Sequence, residues 1–274
     1  MLFEQRRKKS ALRSALSIVE LIYHATVRNV RQSHGNAIIG LFTSILQTAI
    51  LVIVFFVMFS VLGLRGMAIR GDFLLYIMSG IFLFLTHNKA VGAVTGAEGP
   101  ASPMMQHAPM NTAIAITSSA LSSLYIQVLA LIVILFVYHV AFTPLVVQEP
   151  VQAFGMVLLA WFSGVAVGMV FLALKPWAPG FIGIAQQIYT RANMFASGKM
   201  FVANAMPGTM IAMFDWNPLF HCIDQARGFV FINYNPHYSN ITYPLVLSLV
   251  LLTLGLMGEF YTRRHVSLSW TAGK

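Results

Sequence analysis

Apolar residues run from Ile38 to Leu62, IIGLFTSILQTAILVIVFFVMFSVL, without a single Asp, Glu, Lys, Arg or His. About 20 apolar residues at about 1.5 Å each suffice to cross a hydrocarbon core of about 30 Å. The only polar side chains in the run are Thr43, Ser44, Gln47, Thr48 and Ser60. They do not make the polar stripe that a half-buried soluble helix shows, so the pattern predicts a membrane span.

The segment before it has a different rhythm. From Ala11 to Val30 the apolar Leu12, Leu16, Val19, Ile22, Tyr23, Val27 and Val30 recur at three- and four-residue steps. Arg13, Ser17, Glu20, His24, Arg28 and Arg31 fall between them. This predicts an amphipathic helix lying along the cytoplasmic membrane surface, basic side toward headgroups; a helix packed on a soluble partner is the alternative. Met1–Ser10, with Arg6, Arg7, Lys8 and Lys9, reads as a cytoplasmic tail.

After the first span, Gly63–Asp72 is a short loop. A second apolar segment starts at Phe73, and its helix can continue past His87, Asn88 and Lys89 to Val94. Gly96, Gly99, Pro100, Pro103 and Pro109 then mark a loop. Thr112–Tyr138 and Val151–Leu174 are the third and fourth spans. Thr117, Ser118, Ser119, Ser122 and Ser123 in the third let helices approach closely or hydrogen-bond to one another, and the Gly164/Gly168 pair in the fourth reads as a tight helix contact or as the ordinary glycine abundance of spans. Gly180–Phe195 is polar for a span, with Gln186, Gln187, Arg191 and Asn193, so those groups are expected to face protein or water. Lys199–Asp215 is broken by Pro207-Gly208 and too short to cross twice, which predicts a re-entrant pair of half-helices. Trp216–Tyr243 reads as a mixed loop, and Pro244 to about Tyr261 as the last span, with Glu259 and Arg263 one turn apart and able to pair.

Composition supports a membrane domain throughout. The chain has 274 residues, 58% hydrophobic and 9% charged, against about 25% charged in soluble domains. An appended soluble catalytic domain is therefore not expected. The net charge of +9 would suggest nucleic acid in a soluble protein, but here the basic residues crowd span flanks, so it is read as a topology signal. With the N-terminus inside, Arg6, Arg7, Lys8, Lys9, Arg13, Arg28, Arg31, Lys89, Lys175, Arg263, Arg264 and Lys274 are cytoplasmic. Only Arg65, Arg70, Arg191, Lys199 and Arg227 are outside, so both termini are expected in the cytoplasm. A basic, polar segment precedes the first apolar run, so no cleavable signal peptide is expected. Cys222, the single cysteine, cannot form a disulfide within the chain.

Several chemistries are missing. Gly198-Lys199 is followed by Met200, and Asn193 stands where a phosphate-binding loop needs its first glycine, so ATP would have to be used by another subunit. His221, Asp224 and His237 are the only grouping suggestive of a metal or a catalytic cluster, and they read more readily as polar interface residues.

The stretch Trp216-Asn-Pro-Leu-Phe-His-Cys-Ile-Asp-Gln-Ala-Arg-Gly-Phe229 carries an Asn-Pro-Leu triplet with an arginine about nine residues on, just before the last span. It resembles the type-2 ABC exporter permeases, best the branch that exports capsule and O-antigen polysaccharide. Ser197-Gly198 falls where that family breaks before its re-entrant helices. The resemblance implies an all-α integral membrane fold of about six transmembrane helices, with an N-terminal amphipathic interface helix and an outer re-entrant segment between spans five and six. Residues 1–34 would be tail and interface helix, and 35–274 a single permease domain, with a coupling loop at about 96–110 and an outer gate at about 197–235. The coupling loop would dock on the ATPase through Glu98, Pro100, Pro103, Gln106 and His107. Asn217, Pro218 and Arg227 would shape the gate, Pro218 opening a helix that Asn217 caps. Phe55, Phe56, Phe59 and Tyr189 would be channel-lining candidates, since aromatic faces let a sugar chain slide; packing in the core or against lipid is the alternative for each.

The family also implies a homodimer with a glycan channel between copies, in a bacterial inner membrane. Its partners would be an ABC ATPase subunit, polysaccharide or lipid-linked glycan as substrate, periplasmic or outer-membrane export proteins, and lipid. No cofactor is expected in this chain, ATP and Mg being bound by the ATPase. Lys199 and Met200 depart from the family's apolar re-entrant segment, and the Pro- and Met-rich coupling loop is short of charge. The alternatives are a type-2 permease for a drug or small lipid, or an integral-membrane glycosyl or acyl transferase built on His221, Asp224 and His237.

Overall fold

The computed structural model describes residues 11–32, 37–63, 72–98 and 111–265. The N-terminal tail, most of the loop before Asp72, and Pro100, Pro103, Gln106 and His107 of the expected coupling loop lie outside the described residues.

Helix follows helix along the chain: α1 (Ala11–Gln32), α2 (Ala37–Val61), α3 (Phe73–Thr95), α4 (Thr112–Ala141), α5 (Pro150–Leu174), α6 (Pro179–Ala196), a 3-10 turn at Ala203–Ala205, α7 (Gly208–Ile211), α8 (Pro218–Val230) and α9 (Thr242–His265). Among the described residues, α2, α3, α4, α5 and α9 are long and apolar enough to cross a bilayer. The chain is a multi-pass, all-helical membrane protein. The expectation of about six spans therefore depends on α6, whose 18 residues include Gln186, Gln187, Arg191 and Asn193 and which falls outside that set.

α3 is the hub. Its N-terminus is capped by Asp72, whose carboxylate accepts from the Leu74 and Leu75 amides. Most of α3 is buried against its neighbours. α5 reaches it through the glycine pair: a Cβ on Gly168 would stand 3.0 Å from the Val91 carbonyl, and one on Gly164 would collide with the His87 backbone and the Ala90 side chain. The pair is a tight helix contact, since only hydrogen there lets the two backbones meet. Gly255 does the same for α9 on α5, where an added Cβ would lie 2.7 Å from Met169 Cβ.

Polar residues link the other spans. Asn29 of α1 donates to Ser118 and Ser119 of α4 at 3.1 and 3.3 Å, and Gln127 of α4 donates to Ser44 of α2 at 3.1 Å. Glu259 and Arg263 pair at 2.9 Å, and Thr112 Oγ1 donates to Glu259 at 2.9 Å, joining the end of α9 to the start of α4. Lys175 Nζ donates to the Thr95 carbonyl at 3.1 Å at the same end of the bundle. Asp72, Tyr138, Thr143 and the start of α9 mark the opposite end.

Two sequence expectations change. Trp216–Tyr243 is not simply a mixed loop, because residues 218–230 form a 13-residue helix. Lys199–Asp215 is not a pair of half-helices; it holds tight turns, the 3-10 turn and the one-turn α7. Pro207 lies at the N-cap of α7 and has no amide hydrogen with which to extend a helix from before it.

Candidate functional site

The region between α6 and α9 folds back into the bundle. α6 runs alongside α3 in the opposite direction: Gln186 faces Gly92, Tyr189 meets His87, and Lys199 packs on Gly80. Gly80 is eight residues into α3 from Asp72, roughly 12 Å at 1.5 Å per residue. The turn after α6 is therefore held below the level at which α3 begins.

Asn217 and Pro218 start the return. Asn217 is extended (φ −86°, ψ 117°), its Oδ1 accepts the Leu219 amide at 3.0 Å, and Pro218 sits in the first turn of α8. The Asn217 Nδ2 donates to Asn193 Oδ1 at 2.8 Å and to the Ala196 carbonyl at 3.0 Å, so one side chain caps α8 and ties it to the end of α6. Leu219, Cys222, Ile223 and Ala226 bury one face of α8 at helical spacing.

Arg227 projects from this helix into the turn and is 1% exposed. Its Nη1 donates to the carbonyls of Gly198 (3.0 Å) and Phe201 (2.7 Å), and its Nη2 to that of Lys199 (2.8 Å). The guanidinium carbon lies 4.2 Å from the Tyr76 ring centroid of α3. A planar fork with several donors suits this task better than an ammonium would. The turn depends on Gly198, whose φ of +74° is costly for a residue with a Cβ; a Cβ there would also meet the Phe220 ring at 2.7 Å.

Lys199 points the other way. It is 3% exposed, its Nζ has no hydrogen-bond partner among the described residues, and it stands 3.3 Å from the Phe84 ring centroid and 4.9 Å from that of Phe55. Two aromatic faces thus replace water around the amine.

The region around the turn is stapled on its far side. Asp224 accepts from Tyr234 Oη and from Ser239 Oγ (2.7 Å). Burial, with the Asp224 charge beside it, pushes the Tyr234 phenol up. His221 Nδ1 accepts the Asn240 amide at 3.2 Å, which leaves Nε2–H to donate to the Asp215 carbonyl at 2.6 Å. Burial lowers the His221 pKa against the opposing pull of that carbonyl. His237 is exposed, and its backbone amide donates to Asn204. No group of three or more His, Cys, Asp or Glu among the described residues is arranged to hold a metal.

A second polar tether was not foreseen from the sequence. His87 of α3 is fully buried, with Nδ1 2.8 Å from Ser163 Oγ of α5 and Nε2 2.8 Å from Tyr189 Oη of α6. Ser163 Oγ itself donates to the Ala160 carbonyl. Nδ1–H is then the donor to Ser163 and Nε2 accepts from Tyr189. One ring joins three helices, a link across sequence separations that no local pattern signals.

Phe55 and Phe59 are buried, Phe59 packing edge-on to Phe73, and Phe56 is half-buried against the same ring. Tyr189 is half-buried between His87 and Phe171. Glu98 follows the end of α3, its Oε2 buried with no hydrogen-bond partner among the described residues. Asn217 and Pro218 open α8, while Arg227 lies in its last turn; Asn217 bonds to the end of α6 and Arg227 to the turn that follows it. Opposite its buried residues Ile182 and Asn193, α6 exposes Gly183, Gln187 and Arg191 beside Ile184 and Ile188.

No protein-family model matches the sequence, and no curated protein matches it.

Proposed function

We propose that this chain is the permease subunit of an ATP-driven exporter of polysaccharide or lipid-linked glycan, a homodimer in a bacterial inner membrane with both termini cytoplasmic. The observation that carries this reading is the combination found between α5 and α9. α6 presents Gln187 and Arg191 on its outward face, and the same helix ends in a turn that Arg227 fixes inside the bundle. Polar groups at membrane depth are tolerated where they face protein or water. A second copy enclosing a hydrated path along α6 meets that requirement, and the turn and α8 would then form its outer gate. Under this reading α6 is the sixth crossing, and the residues between α3 and α4 take up motion from a separate ATPase subunit.

The chain's own residues position and gate; the work of ATP hydrolysis belongs to the partner. In the gate, Asp224 and His221 are engaged in holding α8 to the segment before α9, an arrangement that favours a structural role over the transferase alternative. The test is purification of the tagged full chain from its native membrane with and without nucleotide, the proteins that accompany it being identified. Recovery of an ABC ATPase that changes with bound nucleotide supports the reading; absence of any associated ATPase overturns it.

A further inference from the structure

Two cavities meet at the end of the bundle marked by Asp72. The deeper one, about 250 Å³, lies between α3, α4, α5 and α8, with Leu75, Phe82, Leu83, Leu135, Phe154 and Val157 among its walls. An apolar cavity of about 150 Å³ already takes up a molecule such as benzene. Phe154, 42% exposed, carries this chamber to the outer face of the spans, where lipid lies. The second cavity, about 550 Å³, has mostly apolar walls, Leu75, Val146, Val230 and Phe231 among them, and carries Asp72, Thr143 and Gln148 at its rim. Leu75 and Val230 belong to the walls of both, so the apolar chamber continues into a vestibule that carries the Asp72 carboxylate.

Among the described residues that line the vestibule, Asp72 is the charged one. Asp72 Oδ2 accepts from Thr143 Oγ1 at 3.1 Å, and Thr143 Oγ1 is 2.7 Å from Tyr138 Oη. No cation among the described residues forms a salt bridge with Asp72. Burial pushes its carboxyl up, but hydrogen bonds from Tyr138, Leu75, Thr143 and Leu74 outweigh that and hold it below the ordinary range. An anionic acceptor at the rim of a greasy slot, on a protein surrounded by bilayer, complements a lipid whose head can donate to a carboxylate.

We propose that the two cavities form one binding site for a bilayer phospholipid with a primary-ammonium headgroup, an acyl chain filling the chamber and the ammonium donating to Asp72. Such a lipid would brace α4, α5 and α8 against α3. The site stands apart from α6 and from the proposed glycan path, and it holds whether or not the chain exports glycan.

The experiment uses the purified full chain, equilibrated with equal amounts of phosphatidylethanolamine and phosphatidylglycerol of the same acyl composition and read by native mass spectrometry. The expected result is one phosphatidylethanolamine retained per chain, preferred about tenfold, the scale of one charge-assisted hydrogen bond. Asp72→Asn keeps a good helix cap but removes the charge, and is expected to bring the preference close to even. Ala153→Phe fills the chamber and is expected to reduce retained lipid of either kind by tenfold or more. Should Ala153→Phe fail to fold, Asp72→Asn carries the test. A wild-type chain without headgroup preference, an Asp72→Asn chain that keeps it, or a folded Ala153→Phe chain with full lipid occupancy overturns the proposal.

Discussion

The Lys199 amine stands 3.3 Å from the centroid of the Phe84 ring and has no hydrogen-bond partner among the described residues. Two forces oppose each other here. Burial without a partner disfavours an ammonium strongly, while a desolvated cation–π contact contributes about 2 kcal/mol in its favour. The desolvation cost is the larger, so Lys199→Met, which keeps an unbranched stem and a sulfur that packs well on rings, is expected to stabilise the fold. An increase of about 1 kcal/mol corresponds to roughly 2–4 °C in Tm. Cys222 is completely buried, so its reaction with a thiol dye reports unfolding directly. A lower Tm for Lys199→Met would mean that the ring faces outweigh desolvation.

Arg227→Lys tests the clamp on the turn. A single ammonium cannot reproduce a fork that holds the Gly198, Lys199 and Phe201 carbonyls together. Leaving buried carbonyls unsatisfied is expected to cost about 3 kcal/mol, seen as a drop in Tm. An unchanged Tm would show that the turn holds itself.

The lowered pKa of His221 gives a pH dependence of definite sign. The folded state binds its proton less readily than the unfolded chain, whose ordinary value is 6.5. The stability it contributes is present above pH 6.5 and is lost as pH falls from there through the folded value. The Tm of the wild-type protein is expected to fall between pH 7.5 and 5.5, and to fall less steeply in His221→Asn. Identical slopes would contradict a neutral, buried His221.

Hydration along α6 is open to chemistry. Gln187→Cys, on the exposed polar side, is expected to react with a membrane-impermeant thiol reagent at least several-fold faster than Ile188→Cys, with wild type as the Cys222 background. Equal, negligible labelling at both would place this face in lipid or in a dry contact.

How much of this was legible in the sequence depended on the range of the signal. The apolar run of α2 and the Glu259–Arg263 pair are local patterns, and the structure repeats them. Asn217-Pro218 announced a helix start, yet the stretch after it read as loop because His221, Asp224, Gln225 and Arg227 interrupt the apolar positions. The spacing of Leu219, Cys222, Ile223 and Ala226 was the signal available there. The three carbonyls gathered by Arg227, the ring cage of Lys199 and the His87 link to Ser163 and Tyr189 join residues from different helices. No periodicity in one segment specifies which carbonyl or ring another segment will bring.

The proposed function is glycan export. It is measured most directly as surface polysaccharide in a strain lacking this chain, with the wild-type gene returned on a plasmid. The expected result is loss of surface glycan, its accumulation inside the cell, and restoration by the plasmid. Wild-type levels of surface polysaccharide in the deletion strain would contradict the claim.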